Sequence, residues 1–247
     1  MFNFKAIAGV VETFSPSKLG CYGKCRLNFK LRYVDKIKIN DVAQTVETLA
    51  GKALHDLASL YNGGDIFSLA QESFKKNGLL WLPDNKDMNK CVLNIKAFWD
   101  GLPTMPKSPI FREATVNAKL NDSVNLTGIM DLVFTDKDGV LNVVDYKTSK
   151  SRDDSRHIDQ LQAYIFIAAQ FFKTPVERIK AYINYLKLGV MGEPQVGQSN
   201  AMATYAYDMK NRIAKIQATV DFPPSPGFLC KYCDYKNSRW CSATNGK

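Results

Sequence analysis

Hydrophobic positions recur every three to four residues over much of the chain, which is the spacing of helices that pack one face against a core. The clearest case runs from Asp41 to about Tyr61, and the turn-forming Asn62-Gly63-Gly64 predicts its end. Pro103, Pro106 and Pro109 interrupt a later helical stretch. Other helices are predicted from Ser15 towards Tyr33, from Lys86 to Trp99, from Ile158 to Phe172 and from Ala201 to Thr219.

Apolar and β-branched residues alternate with polar ones in the middle of the chain, which is the period of β-strands. A fourth strand comes after a predicted helix, so we expect it to run parallel to the third through a helical crossover. A loop is predicted between Gly189 and Asn200. The predicted strands cover about Phe111 to Leu120, Asn125 to Phe134, Val140 to Tyr146 and Arg178 to Lys187. This pattern predicts an α/β fold with a mixed sheet flanked by helices.

The turn sequence Asp136-Lys137-Asp138-Gly139 joins the second and third strands in a predicted hairpin. If the loop is centred on Asp138, paired positions sum to 276, so Asp131 opposes Asp145 with Cβ atoms roughly 5 Å apart. Lys147 then shares the strand face of Asp145. Two opposed carboxylates repel each other, and a hard divalent cation between them is the simplest interpretation. The alternative is a surface ion pair of Asp145 with Lys147, worth roughly 0–1 kcal/mol.

His55 falls on the predicted helix nearly opposite its apolar positions. It is therefore not expected in the core, and it is either simply exposed or part of a site. The apolar positions are Val46, Ala53, Leu57 and Leu60.

The charge of the chain favours a polyanionic partner such as nucleic acid, because lysine and arginine outnumber aspartate and glutamate by 33 to 24. A length of 247 residues suits a single domain, 1–247, with a small annex. No apolar run approaches the roughly 18 residues of a membrane span, and residues 1–5 do not begin a secretory signal. A cytoplasmic protein is therefore expected.

Three of the six cysteines lie within the twelve residues from Cys230 to Cys241, with Cys233 between them. In a reducing compartment, clustered cysteines indicate metal or redox chemistry more often than disulfides. With a fourth thiolate they would fit either a tetrahedral zinc ion or a [4Fe–4S] cluster, and spacing does not separate the two. Cys91 is expected to be an ordinary buried thiol.

Basic and aromatic residues interleave with these cysteines, a composition that suits single-stranded nucleic acid with bases stacked on rings. The alternative is a solvated basic tail. The residues concerned are Lys231, Tyr232, Arg239 and Trp240.

Four short motifs in this order resemble the successive motifs of the RecB-like branch of the PD-(D/E)xK nuclease superfamily. Each is weak alone, and their order and spacing make the set specific. They are Gly51-Lys52-Ala53-Leu54-His55, Gly128-x-x-Asp131, Asp145-Tyr146-Lys147-Thr148 and Gln160-x-x-x-Tyr164. The resemblance implies a restriction-endonuclease-like α/β core.

The resemblance also implies roles for individual residues. It makes His55, Asp131 and Asp145 metal ligands, to which the Tyr146 carbonyl could be added, and it gives Lys147 a catalytic role. Glu113 resembles a less regular acidic metal ligand of the family, and its alternative is a solvated strand residue. In the family interpretation Gln160 and Tyr164 close the active site on the substrate backbone. Their alternatives are a flanking polar group for Gln160 and a core residue for Tyr164.

The N-terminal segment resembles that of iron–sulfur-containing RecB-like nucleases. This resemblance implies that Cys25 joins Cys230, Cys233 and Cys241 around a [4Fe–4S] cluster, with Cys21 as the alternative to Cys25. The implied iron–sulfur annex is formed by about residues 15–33 and 222–247.

By resemblance, the expected activity is hydrolysis of DNA with Mg²⁺ or Mn²⁺, as an exonuclease on single-stranded ends. The similar proteins are the stand-alone CRISPR-associated exonucleases and the AddB nuclease domain. Because no Gly-x-x-x-x-Gly-Lys-Ser/Thr loop occurs, unwinding would come from a helicase or recombination partner. The alternatives are a non-catalytic DNA-end-binding subunit and a zinc-stapled RNA-processing nuclease.

Overall fold

The computed structural model describes residues 11–39, 44–80, 84–102, 111–241 and 243. The helical elements of these residues are α1 (Pro16–Lys24), α2 (Arg26–Phe29) continued by a π-helical turn (Lys30–Val34), α3 (Val46–Leu60), α4 (Ile66–Lys76), α5 (Lys86–Asp100), α6 (Ile158–Phe171) and α7 (Ser199–Gln217). The strands are β1 (Thr13–Phe14), β2 (Phe111–Asn121), β3 (Val124–Thr135), β4 (Leu141–Lys147), β5 (Ile179–Tyr185), β6 (Val190–Met191) and β7 (Gln195–Val196). Short 3₁₀ turns cover Asp154–His157, Val176–Arg178 and Phe228–Tyr232.

The chain divides into two compact units. The first contains the described residues within 1–43, 117–127 and 203–247, and the second those within 44–116 and 128–202.

The second unit is built on a mixed sheet. β3 and β4 form an antiparallel hairpin in which Leu132 pairs with Val144 and Val133 with Val143, so the predicted register is confirmed. β4 and β5 run parallel along their whole length, joined by the predicted crossover through α6. β2 pairs with β3 on the side away from β4.

The prediction of a loop over residues 189–200 is partly wrong, because this segment contains two short strands. β6 and β7 are two-residue strands that pair antiparallel with β5 at Asn184–Met191 and Lys180–Val196. Strands of two residues are too short for an alternating pattern to show in the sequence.

α3 begins later than predicted, at Val46, where the Thr45 hydroxyl accepts a hydrogen bond from the Thr48 amide. The predicted start at Asp41 and the three prolines at 103, 106 and 109 lie outside the described residues. Two of the predicted apolar positions of α3 are not buried, since Val46 is 66% exposed and Leu60 is 54% exposed. The core side of α3 consists of Ala53, Leu54, Leu57 and Ala58.

α3, α4 and α5 bury their apolar sides in one hydrophobic cluster with one face of the hairpin. That face consists of alternate strand positions, as the two-residue period requires. Its residues are Leu132, Phe134, Val144 and Tyr146. The interleaving positions of β3 and β4, including 131, 145 and 147, therefore belong to the other face.

The first unit contains β1, α1, α2 and the C-terminal tail. α1 starts as predicted, with Ser15 accepting from the Lys18 amide and Pro16 in the first turn. The predicted helix towards Tyr33 is interrupted at Cys25, whose backbone is extended with φ −159° and ψ 114°. Gly20 and Gly23 just before this break lower the helical propensity of the segment.

No helix in the described part of the chain is long and apolar enough to cross a membrane.

Candidate active site

The second unit brings together the predicted site residues of its strands and helices. The side chains converge from two helices and three strands. His55 comes from α3, Glu113 from β2, Asp131 from β3, Asp145 and Lys147 from β4, and Gln160 and Tyr164 from α6.

The two aspartates stand one position beyond the last paired residues of the hairpin, Leu132 and Val144. Both are buried, Asp131 at 6% and Asp145 at 3% exposure. The Tyr146 amide donates a 2.6 Å hydrogen bond to Asp131 Oδ2, which ties the first carboxylate to the strand of the second. Burial raises the pKa of Asp145, the Asp131 charge raises it further, and the Lys147 ammonium opposes both.

Lys147 Nζ lies 2.5 Å from Asp145 Oδ2, on the strand face that the two-residue period predicts. The two groups form an ion pair in which the ammonium lies directly against a buried carboxylate oxygen.

The other oxygen of Asp145 is held by α6. Gln160 Nε2 donates to Asp145 Oδ1 at 2.7 Å and to the Tyr164 hydroxyl at 2.7 Å. The Tyr164 hydroxyl in turn lies 3.0 Å from Asp145 Oδ1 and 2.9 Å from the Ile129 carbonyl. Burial, followed by the Asp145 charge, raises the pKa of Tyr164, so the hydroxyl keeps its proton and acts as a donor.

His55 connects the first aspartate to Glu113. Its Nε2 lies 3.0 Å from Asp131 Oδ2, and its Nδ1 lies 3.6 Å from Glu113 Oε1. Burial lowers the pKa of His55, but the hydrogen bond with Asp131 and the charges of Asp131, Asp145 and Glu113 outweigh it, so the pKa is raised. The imidazole is one-third exposed and lies outside the core.

Glu113 contacts the site through the histidine. Its backbone has φ 49°, an uncommon value for a non-glycine residue, within strand β2. The Ser59 hydroxyl donates a 3.0 Å hydrogen bond to Glu113 Oε1. Ser59 belongs to none of the four motifs, although it lies four residues after His55 and therefore on the same side of α3.

At two motif positions, the neighbouring side chains leave little room for any residue larger than glycine. A Cβ at Gly128 would lie 3.0 Å from Tyr164 Cε1, and a Cβ at Gly51 would lie 3.0 Å from Thr148 Oγ1. The absence of a side chain at Gly128 therefore lets the tyrosine ring reach across β3 to Asp145. The spacing of the residues reveals the motifs in the sequence. It does not reveal that Gly128 packs against Tyr164 or Gly51 against Thr148.

A family model described as the PD-(D/E)XK nuclease superfamily matches residues 13–241, which is most of the chain. The chain belongs to the PD-(D/E)XK nuclease superfamily. No curated protein matches it.

Two solved structures resemble this superfamily member. A protein named "Putative exonuclease" from Eubacterium rectale has 15% sequence identity and a TM-score of 0.53, covering 94% of this chain and 91% of its own. A protein named SSO0001 has 17% identity and a TM-score of 0.40, covering 89% of this chain and 95% of its own. At these identities the first likeness concerns the fold alone.

The two buried carboxylates of this PD-(D/E)XK site suit a hard divalent cation, since carboxylate oxygens are the ligands that Mg²⁺ and Mn²⁺ prefer, whereas the imidazole is a softer ligand. Among the described residues, no three His, Cys, Asp or Glu side chains are already grouped around one point. Each aspartate instead faces a nitrogen group, His55 at Asp131 and Lys147 at Asp145. The Oδ2 oxygen of Asp145 best fits a ligand role, because a cationic group, the Lys147 ammonium, already lies against it.

The predicted cluster cysteines all lie in the first unit, and Cys91 is buried in the second, as expected. Three of their sulfurs face N–H donors: Cys25 the Ser225 amide at 3.5 Å, Cys230 the Gly227 amide at 3.3 Å, and Cys233 the Asn28 side chain at 3.2 Å. Cys21 differs because its thiol donates to Asn28 Oδ1. Within the described residues, none of these cysteines forms a disulfide or belongs to a closed metal-binding group.

Proposed function

We propose that this chain is a Mg²⁺- or Mn²⁺-dependent deoxyribonuclease that acts as an exonuclease on single-stranded DNA ends. Membership of the PD-(D/E)XK nuclease superfamily and the fold shared with the Eubacterium rectale "Putative exonuclease" support a nuclease. The observation that carries the proposal is the convergence of Asp131, Asp145, His55 and Lys147 in one site. Chemistry on a phosphodiester needs this combination of cation ligands and a group that acts on water.

In the proposed mechanism, Asp131 and Asp145 would hold the divalent cation, with His55 and the Tyr146 carbonyl as further ligands. When bound, the cation supplies Lewis acidity that neutralises the charge developing on the phosphate. For the cation to bind, the contacts of His55 with Asp131 and of Lys147 with Asp145 would have to be exchanged for contacts with it. The Lys147 ammonium then orients and polarises the attacking water.

The α6 residues keep Asp145 in place during this exchange. Gln160 donates to Oδ1, and the single hydroxyl proton of Tyr164 is shared between Oδ1 and the Ile129 carbonyl, so α6 contacts Oδ1 while Oδ2 contacts Lys147. Glu113 acts through His55 in this scheme, because among the site residues its carboxylate faces the imidazole. That role differs from the direct metal ligation expected from the sequence.

The proposal also includes a [4Fe–4S] cluster on Cys25, Cys230, Cys233 and Cys241, with structural zinc as the alternative. The N–H groups that face three of these sulfurs support it, because hydrogen bonds to sulfur are typical of cluster ligands. Cys21, as a thiol donor, is a weaker candidate than Cys25. Iron analysis of anaerobically purified protein should give about four irons per chain, lost in Cys230→Ala and kept in Cys91→Ala. About one zinc and no iron would instead support the zinc alternative.

A cytoplasmic role in DNA repair or recombination, with a helicase or recombination partner that unwinds the duplex, completes the proposal. The net charge of +9 supports a nucleic-acid substrate.

Nucleotide release from end-labelled single-stranded DNA tests the enzymatic function. We expect activity with Mn²⁺, none after chelation, and a loss of more than about a hundredfold in Asp145→Ala, since even residues outside the ligand shell cost 10–100-fold. Asp138→Ala is the matched control, because Asp138 is an exposed aspartate at the tip of the same hairpin. Equal activity in the wild type and Asp145→Ala would contradict the proposal.

A further inference from the structure

The 3₁₀ turn Phe228–Tyr232 in the first unit exposes three large apolar side chains to solvent. Phe228 is 73% exposed, Leu229 is 51% exposed and Tyr232 is 69% exposed. Single exposed apolar residues are normal, but three within five consecutive residues form a patch that calls for a binding explanation.

The patch has an ordered arrangement around one cation. The Phe228 and Tyr232 rings meet edge to face with centroids 6.0 Å apart. Lys231 Nζ lies 3.6 Å from the first centroid and 4.7 Å from the second, so the ammonium sits against both rings while Lys231 remains exposed. A backbone hydrogen bond from Cys230 N to Gly227 O, at 2.9 Å, holds the turn.

The residues that follow the patch in sequence are mostly basic and aromatic. Asp234, the acidic residue that follows it, is already paired with Arg32. Lys236 is exposed, and Arg239 lies over the Trp240 ring at 4.4 Å, which forms a second cation–aromatic pair in the same tail. A ligand for these residues should therefore be flat, apolar on its faces and negatively charged along its backbone.

We propose that Phe228, Lys231 and Tyr232 form a stacking platform for single-stranded nucleic acid. Unpaired bases would stack on the two rings, and Lys231 would neutralise a backbone phosphate. A duplex does not fit, because its bases already stack on one another and hide their faces. The inference rests on the proposed function and extends it by adding Phe228 and a region of the first unit that binds the strand.

Fluorescence anisotropy with a labelled single-stranded oligonucleotide tests the platform. The binding measurements use the full chain with Asp145→Ala, so that the strand is not hydrolysed. Because stacking of a base on a ring contributes about 1–3 kcal/mol, Phe228→Ala and Tyr232→Ala should each weaken binding at least about fivefold. Tyr232→Phe, which keeps the ring, and Leu229→Ala, which removes an exposed apolar side chain without a ring, should change the Kd less than about twofold.

Lys231→Ala tests the electrostatic part separately. One phosphate contact fewer should reduce the slope of log K against log salt by about 0.7. Thermal unfolding should be unchanged in all of these variants, because the side chains are exposed.

The proposal is overturned if Phe228→Ala with Tyr232→Ala binds the single strand as tightly as the parent, or if both ring removals weaken duplex binding equally. Failure of the proposed function looks different. In that case the wild type releases no nucleotides from any DNA, whatever the effect of the rings on binding.

Discussion

At the scale of residues, the site consists of charges that restrain one another. Asp131 faces His55 and Asp145 faces Lys147, so two buried carboxylates that would otherwise repel are each kept next to a nitrogen group. Ser59 and Glu113 extend this arrangement beyond the residues that the motifs indicate. The histidine orientation therefore depends on a chain of contacts from Ser59 through Glu113.

Ser59→Ala should release Glu113 and loosen His55. We expect Mn²⁺ affinity to fall by up to about tenfold, the lower part of the range for residues that orient metal ligands. Titration calorimetry measures this effect, and the matching control is the same substitution in Glu113→Ala, where it should do nothing further. A fall of equal size in both backgrounds would show that Ser59 does not act through Glu113.

At the scale of elements, the close approach of α6 to β3 depends on Gly128. Gly128→Ala places a methyl group 3.0 Å from the Tyr164 ring, inside normal contact distance. We expect a loss of about 1–3 kcal/mol in the free energy of unfolding from overpacking, together with reduced nuclease activity. Chemical denaturation with an activity assay provides the measurement.

Gly20→Ala is the control for this substitution, because nothing lies within 4 Å of a Cβ at that helical position. It should raise the free energy of unfolding by about 0.4–1 kcal/mol. The overpacking account is wrong if both alanines have the same effect.

The loop between β4 and α6 is held by Asp154, which accepts hydrogen bonds from Arg152, from the Tyr185 hydroxyl at 2.9 Å and from the Glu193 amide at 3.1 Å. The hydrogen bond from Arg152 makes the largest contribution to lowering the pKa of Asp154 to about 2. A lowered carboxyl pKa contributes stability that is complete above the unfolded value near 3.8 and is lost as the pH falls through about 2.

Asp154→Asn should therefore cost about 1–2 kcal/mol of stability at pH 7, after allowance for solvent screening of this partly exposed group. The difference from the wild type should shrink as the pH is lowered from 4 towards 2. Urea denaturation at several pH values measures it, with the exposed Asp138→Asn as control. A difference that does not depend on pH would contradict the ionic origin.

At the scale of the whole molecule, the hairpin register can be predicted from the sequence, but backbone features that depend on tertiary contacts cannot. The turn at Asp136 to Gly139 and the alternation around it were sufficient to place Asp131 and Asp145 across from each other. They could not show that the Glu113 backbone adopts a positive φ, which depends on tertiary contacts. The helix break at Cys25 is likewise invisible to periodicity, because the apolar spacing continues past it.

The two units also differ in how much of their site chemistry can be predicted from the sequence. The nuclease motifs lie in the second unit, and their side chains contact one another there. The cysteines and the aromatic tail lie in the first unit, where the sequence shows their residue types but not which sulfurs accept hydrogen bonds. Contacts of that kind are set by residues far apart in sequence, such as Asn28 and Cys233.

Binding of Mn²⁺ followed by electron paramagnetic resonance tests the central claim most directly, because free and bound ions give different signals. The wild type should bind the ion, Asp131→Ala and Asp145→Ala should each lose this site, and Asp138→Ala should keep it. Unchanged Mn²⁺ binding in both Asp131→Ala and Asp145→Ala would contradict a divalent-cation site between the two facing carboxylates.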